Sequence, residues 1–469
     1  MINAVLLRYD ELGIKSRGAR MIFERKYVFA LRDALRRKGV KGRIKNFGGR
    51  FIIYSSSPDE VLQACKFVPA VASLSPAFSF SFASLDELLM QATRFGLPLV
   101  ANKKFRVRVK SRTGKHEFSS DDVAKELGAK LYKASAGVDL HTPEVTIFVE
   151  VRQSECFVYA SQERGLGGLP PGSGEKLLLL YSGGIDSPVA AIELLKRGFL
   201  IDFLFVQTAG DAQREEVARG YNYLVDTFCF NYKPKLFIVD ASVVAEEITS
   251  AVPSRFRQIA FKRFLYELSA ILITQHAYVA LATGEVLSQK SSQTGASLAF
   301  IQKKFPVPVF RPLLTQNKQD IIALARWAGT FTYSEHVQEH CSLSEGPVAT
   351  SPKEKDEEHI PSFRARAKKL ILESLTFAGL YEETLSFTSL ADLAIIDLRT
   401  DAKVLKFGAS FEVRSFPEIL DELDDFDKKK SYLIICKGGY KSFTVERALQ
   451  KRGISAKAVS EVEFDRLKK

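Results

Sequence analysis

The stretch LLLLYSGGIDSPVAAIELLKRG, residues 177–198, decides the fold of the larger part of the chain. Four leucines and a tyrosine predict a buried strand that ends at Tyr181, and a glycine-rich turn follows it. We expect the next helix to start at Pro188, because the first helical position needs no backbone N–H donor. Gly198 is expected to end that helix, since glycine adopts the left-handed conformation at little cost. A strand, a tight turn and a helix in this order predict an anion-binding site.

The turn itself, SGGIDS at 182–187, has the residue types that a bound phosphate requires. Its glycines let the backbone approach the anion, and its serine hydroxyls can donate hydrogen bonds to phosphate oxygens. Asp186 would be repelled by bare phosphate, so we expect it to hold a Mg²⁺ ion that bridges the nucleotide. No GK[ST] follows, which excludes a Walker loop. The turn resembles the SGGxDS pyrophosphate loop (PP-loop) of ATP pyrophosphatases, and this implies ATP binding.

Continuous apolar runs at 176–181, 199–207, 235–240 and 277–283 are separated by segments of helix length. Runs of this kind are typical of strands buried on both faces, so we predict a parallel α/β sheet. The stretch TGEVLSQKSSQT (283–294) follows the last run and is rich in small polar residues. We expect it at the carboxyl edge of the sheet, where ligands bind in such folds; a solvated loop is the alternative.

A second strand–loop–helix unit, YLIICKGGYKS at 432–442, has Cys436 at the end of its strand. A thiolate there would face loop amides and a helix N-terminus, which favour the anionic, nucleophilic form. The pattern resembles the active-site loop of rhodaneses, which implies a persulfide on Cys436, and LAIIDLR (393–399) resembles their strand ending in D-x-R. Lys441 stands where rhodaneses commonly have an arginine, and no glycine–histidine pair follows Arg399. The alternative is a buried, inert cysteine.

The remaining cysteines differ in their surroundings. Cys341 lies in a polar segment close to His336 and His340, but three candidate ligands without a fourth do not predict a metal site. Redox chemistry with Cys436 is therefore favoured over a metal-binding or structural role for Cys341. Three other cysteines have apolar neighbours and are predicted to be core residues, namely Cys65, Cys156 and Cys229.

Positive charge is concentrated in the first third of the chain. Residues 1–165 contain 28 lysines and arginines against 17 acidic residues, whereas residues 166–469 contain 39 against 38. Hydrophobic and cationic residues alternate near 105–110, which predicts a half-buried strand with one basic face. We predict that RNA binds this face, with a solvated surface as the alternative. The predicted RNA contacts are Lys103, Lys104, Arg106, Arg108, Lys110 and Arg112.

The composition is that of an ordinary globular protein, with 469 residues, 46% hydrophobic and 26% charged, and a formal net charge of +12. A length of this kind predicts about three domains. No apolar run is long enough to span a bilayer, and charged residues stand where a signal peptide would need an apolar core. The sequence therefore predicts no membrane segment and a cytoplasmic location.

The order of these features resembles one family across nearly the whole chain, the tRNA 4-thiouridine synthases (tRNA sulfurtransferases) with a C-terminal rhodanese domain. FRVRVKSRTGKHEFSSDDVAKELG (105–128) is similar to the THUMP RNA-binding domain of that family, which follows a ferredoxin-like domain. SGGIDSPVA, TGEVLSQKSSQT, FRPLLTQNKQDIIALAR (310–326) and the cysteine of EHC are similar to its catalytic domain. The resemblance implies an α/β multidomain fold. Its domains would be ferredoxin-like (1–60), THUMP (61–165), PP-loop of the adenine nucleotide alpha hydrolase type (166–384) and rhodanese-like (385–469).

The resemblance also implies a reaction. ATP with Mg²⁺ adenylates O4 of uridine 8 in tRNA, and a persulfide on Cys436, loaded by a cysteine desulfurase, delivers sulfur. Cys341 then forms a disulfide with Cys436 as the product leaves, while Asp186 and Lys318 support catalysis. The family also supplies sulfur for the thiazole of thiamine through a carrier protein. The implied nucleotide contacts are Leu180, Tyr181, Ser182, Gly183, Gly184, Asp186, Ser187, Lys262, Gly284 and Gln293.

Two other functions stay open on the sequence. One is a PP-loop enzyme that thiolates another tRNA base or the carboxylate of a sulfur-carrier protein. The other is a non-catalytic RNA-binding protein with a decayed nucleotide fold, against which the intact Ser182, Asp186 and Ser187 argue.

Overall fold

A computed structural model of the chain describes residues 2–9, 11, 16–113, 116–208, 211–335, 337, 348–374, 376–378, 394–399, 410–416, 418–436, 440–450, 452–460 and 464. The chain divides into two compact units, Met1–Pro170 and Pro171–Lys469. None of the helices in the described residues has both the length and the apolar character needed to cross a membrane.

The described part of the first unit forms one nine-stranded sheet. Its strands are β1 (Ala4–Arg8), β2 (Arg43–Asn46), β3 (Phe51–Tyr54), β4 (Ser73–Ser81), β5 (Lys104–Thr113), β6 (Gly137–Val138), β7 (Val145–Arg152), β8 (Glu155–Tyr159) and β9 (Glu163–Arg164). The order is β2-β3-β1-β4-β8-β7-β5-β6, and β9 pairs with β4. Because β4 pairs with both β1 and β8, the ladder continues beyond the proposed boundary at residue 60, and that boundary stays a prediction.

Helices cover this sheet and supply the rest of its core. They are α1 (Arg17–Lys38), α2 (Pro58–Cys65), α3 (Leu85–Val100) and α4 (Ser120–Tyr132). The start of α4 is fixed by a capping box, in which Ser119 and Asp122 satisfy each other's backbone N–H groups. Leu127 and Leu131 of α4 pack with Phe105 of β5 in a fully buried cluster.

The second unit contains the predicted parallel sheet, in the order β14-β13-β10-β11-β12-β15. Its strands are β10 (Lys176–Leu180), β11 (Leu200–Gln207), β12 (Leu236–Asp240), β13 (Leu281–Ala282), β14 (Val309–Phe310) and β15 (Thr376–Ala378). Leu177, Leu178 and Leu179 are all fully buried. Since successive side chains point to opposite faces, both faces of β10 are covered, as predicted. The edge strand β15 runs antiparallel to β12, and the run at 277–283 contributes only two strand residues.

The helices of this part are α5 (Asp186–Lys196), α6 (Asp211–Phe228), α7 (Ser242–Ala251), α8 (Arg257–His276), α9 (Gly295–Gln302), α10 (Lys318–Ala328), α11 (Phe331–Ser334) and α12 (Arg364–Ser374). A separate parallel sheet of four strands follows, in the order β17-β16-β18-β19. It consists of β16 (Ala394–Asp397), β17 (Ser410–Val413), β18 (Ser431–Cys436) and β19 (Ser455–Ser460), with α13 (Tyr440–Gln450). This is the α/β arrangement expected after residue 385, and its assignment as rhodanese-like stays a prediction.

Candidate functional site

A cavity of about 270 Å³ lies at the carboxyl ends of β10, β11 and β13. Of the ten residues implied as nucleotide contacts, eight line it, and Gly183 and Gly184 lie in the turn between two of these. Residues from three separate stretches of the sequence thus meet in one place. The eight are Leu180, Tyr181, Ser182, Asp186, Ser187, Lys262, Gly284 and Gln293.

The turn after β10 is held by its two serines. The backbone N–H of Ser182 donates to Ser187 Oγ at 3.2 Å, and the two hydroxyl oxygens lie 3.3 Å apart. Gly183 has a φ of +80°, and a Cβ there would lie 2.8 Å from Val217 Cγ2. Glycine is therefore required at 183 both by the backbone conformation and by the space.

Helix α5 starts two residues earlier than predicted, at Asp186 rather than Pro188. The proline is nevertheless tolerated, because the first four N–H groups of a helix have no intrahelical partner. The predicted end is confirmed: Gly198 has a φ of +82° and its N–H donates to the carbonyl of Leu195 at 2.9 Å. The N-terminus of α5 thus lies at the cavity, with Asp186 and Ser187 in its first turn.

Both carboxylate oxygens of Asp186 have partners. Lys318 Nζ lies 2.6 Å from Oδ1, and Gln289 Nε2 donates to Oδ2 at 2.9 Å. Asp186 and Lys318, the two implied catalytic supports, therefore lie in contact, and their catalytic roles stay predictions; Gln289 was not singled out from the sequence. A carboxylate is the ligand type that Mg²⁺ prefers, so Asp186 is a residue that would hold the ion.

The loop at 283–294 lies beside this turn, as expected. A Cβ at Gly284 would lie 3.0 Å from the carbonyl carbon of Asp186 and 3.1 Å from the backbone nitrogen of Ser187, so glycine permits the close approach. Ser288 has a φ of +61°, and its N–H donates to the carbonyl of Gln293 at 2.9 Å. The buried Oε1 of Gln293 has no hydrogen-bond partner among the described residues, which fits an acceptor for an incoming ligand donor.

A buried carboxylate that the sequence analysis did not single out, Glu285, lies at the same edge. Its Oε1 accepts from Lys262 Nζ at 2.7 Å, and its Oε2 accepts from Arg311 Nε at 2.9 Å. Burial raises the pKa of the Glu285 carboxyl, but the Lys262 ammonium and the Arg311 guanidinium outweigh it and hold the pKa below its ordinary value. Glu285 is therefore ionised at neutral pH, despite being 8% exposed.

One wall of the cavity is apolar. Side chains from the end of β11 and from one face of α8 form this wall and can cover a planar base while the polar turn binds charge. These side chains are Leu204, Phe205, Val206, Phe261 and Leu265.

The basic strand is β5, and its predicted alternation is confirmed. Phe105 is buried, while four of the predicted RNA contacts are exposed. Arg106 is half-buried and donates to the carbonyl of Leu140 and to Thr146 Oγ1, so it also braces the sheet. The side chain of Arg112 lies outside the described residues. The four exposed cations are Lys103, Lys104, Arg108 and Lys110.

Cys436 is the last residue of β18, as predicted, and its side chain is 1% exposed. The backbone N–H of Ser442 donates to Cys436 Sγ at 3.4 Å, and Ser442 Oγ lies at the same distance. An N–H from the first turn of α13 thus points at the sulfur. Lys437 and the side chain of Lys441 lie outside the described residues.

The predicted partner of this thiol, Cys341, lies outside the described residues with its neighbours His336 and His340, so the predicted disulfide with Cys436 stays a prediction. Among the residues that the structure describes, no cluster of histidine, cysteine and acidic side chains is suited to a metal ion. Three other cysteines are core residues, as predicted: Cys65, Cys156 and Cys229. Burial raises the thiol pKa of Cys65 and of Cys156.

Comparisons with known proteins agree on the organisation of the chain. Family models match at residues 4–75 (ThiI ferredoxin-like domain), 82–161 (THUMP domain) and 172–363 (thiamine biosynthesis protein, ThiI). A tRNA sulfurtransferase of Pyrobaculum aerophilum is 32% identical over 97% of this chain and 96% of its own length. One of Thermoplasma volcanium is 31% identical over 97% and 95%. The solved structure of a 4-thiouridine synthetase–RNA complex with bound ATP superposes with a TM-score of 0.68 at 27% identity, covering 81% of this chain and 99% of that one.

Proposed function

The chain belongs to the tRNA sulfurtransferase family, and on that premise we propose that it converts uridine 8 of tRNA to 4-thiouridine at the expense of ATP. The observation that carries the proposal is the convergence of the eight nucleotide-contact candidates on one cavity at the edge of the parallel sheet. The solved relative named above was crystallised with RNA and ATP, which are the two substrates we assign to this chain. Because tRNA is the substrate, we expect the protein to act in the cytoplasm.

ATP would bind with its phosphates at the turn after β10 and its adenine against the apolar wall. The hydroxyls of Ser182 and Ser187 and the N-terminus of α5 are positive or donating groups at the phosphate end. Lys318 neutralises Asp186, which would otherwise repel the nucleotide. Mg²⁺, when bound, adds positive charge against the triphosphate, and Asp186 is the residue we propose to hold it.

Adenylation would make O4 of the uracil a leaving group. O4 attacks the α-phosphorus of ATP as N3 of the uracil loses its proton to solvent, the bond to pyrophosphate breaks, and a C4–O–AMP ester forms. Negative charge that develops on the phosphate is stabilised by fixed donors, for which Lys262 and the N–H groups of α5 are the candidates. Holding both substrates in one cavity replaces an encounter in solution by a unimolecular step.

Sulfur would arrive as a persulfide on Cys436. Its terminal sulfur bonds to C4 while AMP leaves with the electron pair of the C4–O bond. The thiolate of Cys341 then attacks Cys436 Sγ and breaks the bond between Sγ and the transferred sulfur, which releases 4-thiouridine and leaves a Cys341–Cys436 disulfide. A dithiol reductant reopens that disulfide, and a cysteine desulfurase reloads Cys436. A carrier protein in thiamine synthesis would be a second acceptor for the same sulfur.

The test has two arms. In vitro, the purified chain, supplied with a cysteine desulfurase, cysteine and a dithiol reductant, should form AMP and pyrophosphate from ATP in the presence of unmodified tRNA, and a tRNA with cytidine at position 8 should give only background. In cells, deletion of the gene should remove 4-thiouridine from hydrolysed tRNA, as measured by mass spectrometry of nucleosides. Normal 4-thiouridine in the deletion strain would refute the proposal, and another thiolated nucleoside lost in its place would favour an enzyme for a different base.

A further inference from the structure

Two cations share one buried carboxylate at the edge of the nucleotide cavity. Lys262 and Arg311 each make a charged hydrogen bond to a different oxygen of Glu285. Tyr266 and Thr283 also donate to the carboxylate, at 3.3 and 3.1 Å. The cluster of three ionised groups therefore carries one surplus positive charge, whereas the Asp186–Lys318 pair is neutral.

The two cations are held very differently. Arg311 uses three of its nitrogens, because Nη1 donates to Gln302 Oε1 and Nη2 to Tyr266 Oη, each at 2.9 Å, in addition to its bond to Glu285. Lys262 has Glu285 as its one hydrogen-bond partner among the described residues, and it lines the cavity. Arg311 is not among the residues that line the cavity. Arg311 is thus the fixed cation of the cluster and Lys262 the one that can turn.

We propose that Arg311 is a positioning residue that allows Lys262 to exchange Glu285 for a phosphate oxygen of the nucleotide. The inference rests on the ATP binding proposed above. When Lys262 turns toward a phosphate, Arg311 still neutralises Glu285, so no buried charge is left unpaired. Without Arg311, the same movement would strand a buried carboxylate, and this is costly in a protein interior. Arg311 therefore acts on a nucleotide that it does not touch.

The proposal predicts a rescue between two substitutions. Arg311→Met leaves Lys262 as the only counterion of Glu285, so the affinity for ATP should fall about 10- to 100-fold. Adding Glu285→Gln removes the charge that retains Lys262, so the double variant should return to within about threefold of the wild-type affinity. Binding is measured by isothermal titration calorimetry on the full chain with ATP and magnesium chloride. A residue with a purely structural role would give a double variant at least as impaired as the single one.

Arg263→Met is the matched control. Arg263 follows Lys262 on α8, is buried, and forms an ion pair with Glu357, which lies outside the cavity lining. This variant should lose thermal stability but keep its affinity for ATP. A double variant that binds ATP as weakly as Arg311→Met, or an equal loss of affinity in Arg263→Met, would overturn the inference. If the wild-type chain itself failed to bind ATP, the proposed function would be refuted instead.

Discussion

Gly284→Ala tests whether the contact between the two loops determines nucleotide binding. The added Cβ would lie 3.0 Å from the carbonyl carbon of Asp186, 3.1 Å from its oxygen and 3.1 Å from the nitrogen of Ser187. These are backbone atoms at the start of α5, so no side chain can rotate away, and the phosphate turn or the 283–294 loop must move by a few tenths of an ångström. Overpacking of this kind costs about 1–3 kcal/mol.

This strain should also weaken nucleotide binding, because the displaced atoms belong to the turn that would bind the phosphates of ATP. We expect the Kd for ATP to rise about 10- to 100-fold, since each factor of ten corresponds to about 1.4 kcal/mol. Calorimetry with ATP measures the affinity, and the rate of tRNA-dependent AMP formation should fall in parallel.

Gly295→Ala provides the control for adding a methyl group in the same domain. No atom lies within 4 Å of the Cβ position at Gly295, which is the first residue of α9. This variant should bind ATP as the wild type does. Wild-type affinity in Gly284→Ala as well would refute the reasoning, because it would mean that the approach of the two loops does not shape the site.

Three further results are expected. Cys436→Ala should abolish 4-thiouridine but keep the single-turnover release of pyrophosphate within about twofold, and equal loss of both would contradict the separation of sulfur transfer from adenylation. Alanine at three exposed cations in β5 and just before it (K103A, K104A, R108A) should lower the salt slope of tRNA affinity by up to about 3, while the same change in the exposed run at 428–430 should not. Hydrogen bonding to Arg263 lowers the pKa of Glu357 from 4.5 to about 2. The ionised Glu357 carboxylate therefore stabilises the fold above pH 4.5, and this stabilisation is lost as the pH falls toward 2. The difference in Tm between wild type and Glu357→Gln should therefore shrink in acid, and a constant difference would contradict it.

Local patterns predicted the strand, turn and helix at 177–198 well because every determinant lies within one short segment. The leucine run, the two glycines and the serines of 177–198 act on each other through neighbouring backbone atoms, so their chemistry can be read without knowing the fold. The alternation in β5 was predictable for the same reason. The start of α5 was predicted two residues too late. Proline fits the third position of a helix as well as the first, because neither position has an intrahelical acceptor for its backbone N–H.

What the sequence could not predict depends on contacts between distant residues. Gln289 donates to Asp186 from 103 positions away, and Arg311 reaches Glu285 across 26. Glutamate and arginine side chains are most often exposed to solvent. Nothing in the local sequences TGE (283–285) and FRPLL (310–314) therefore indicates that Glu285 and Arg311 form a buried ion pair. Only the sheet, which places the ends of β13 and β14 side by side, makes Glu285 and Arg311 neighbours.

The burial of Cys436 bears on how sulfur can be delivered. With 1% exposure, Sγ itself is poorly placed to attack a nucleoside. In a persulfide, however, the reactive atom is the outer sulfur, which lies about 2.05 Å beyond Sγ. The Ser442 N–H donates to Sγ, which holds the attachment atom in place while the outer sulfur is transferred. A buried Sγ is thus compatible with a sulfur carrier, because the atom that is transferred to the nucleoside extends beyond it.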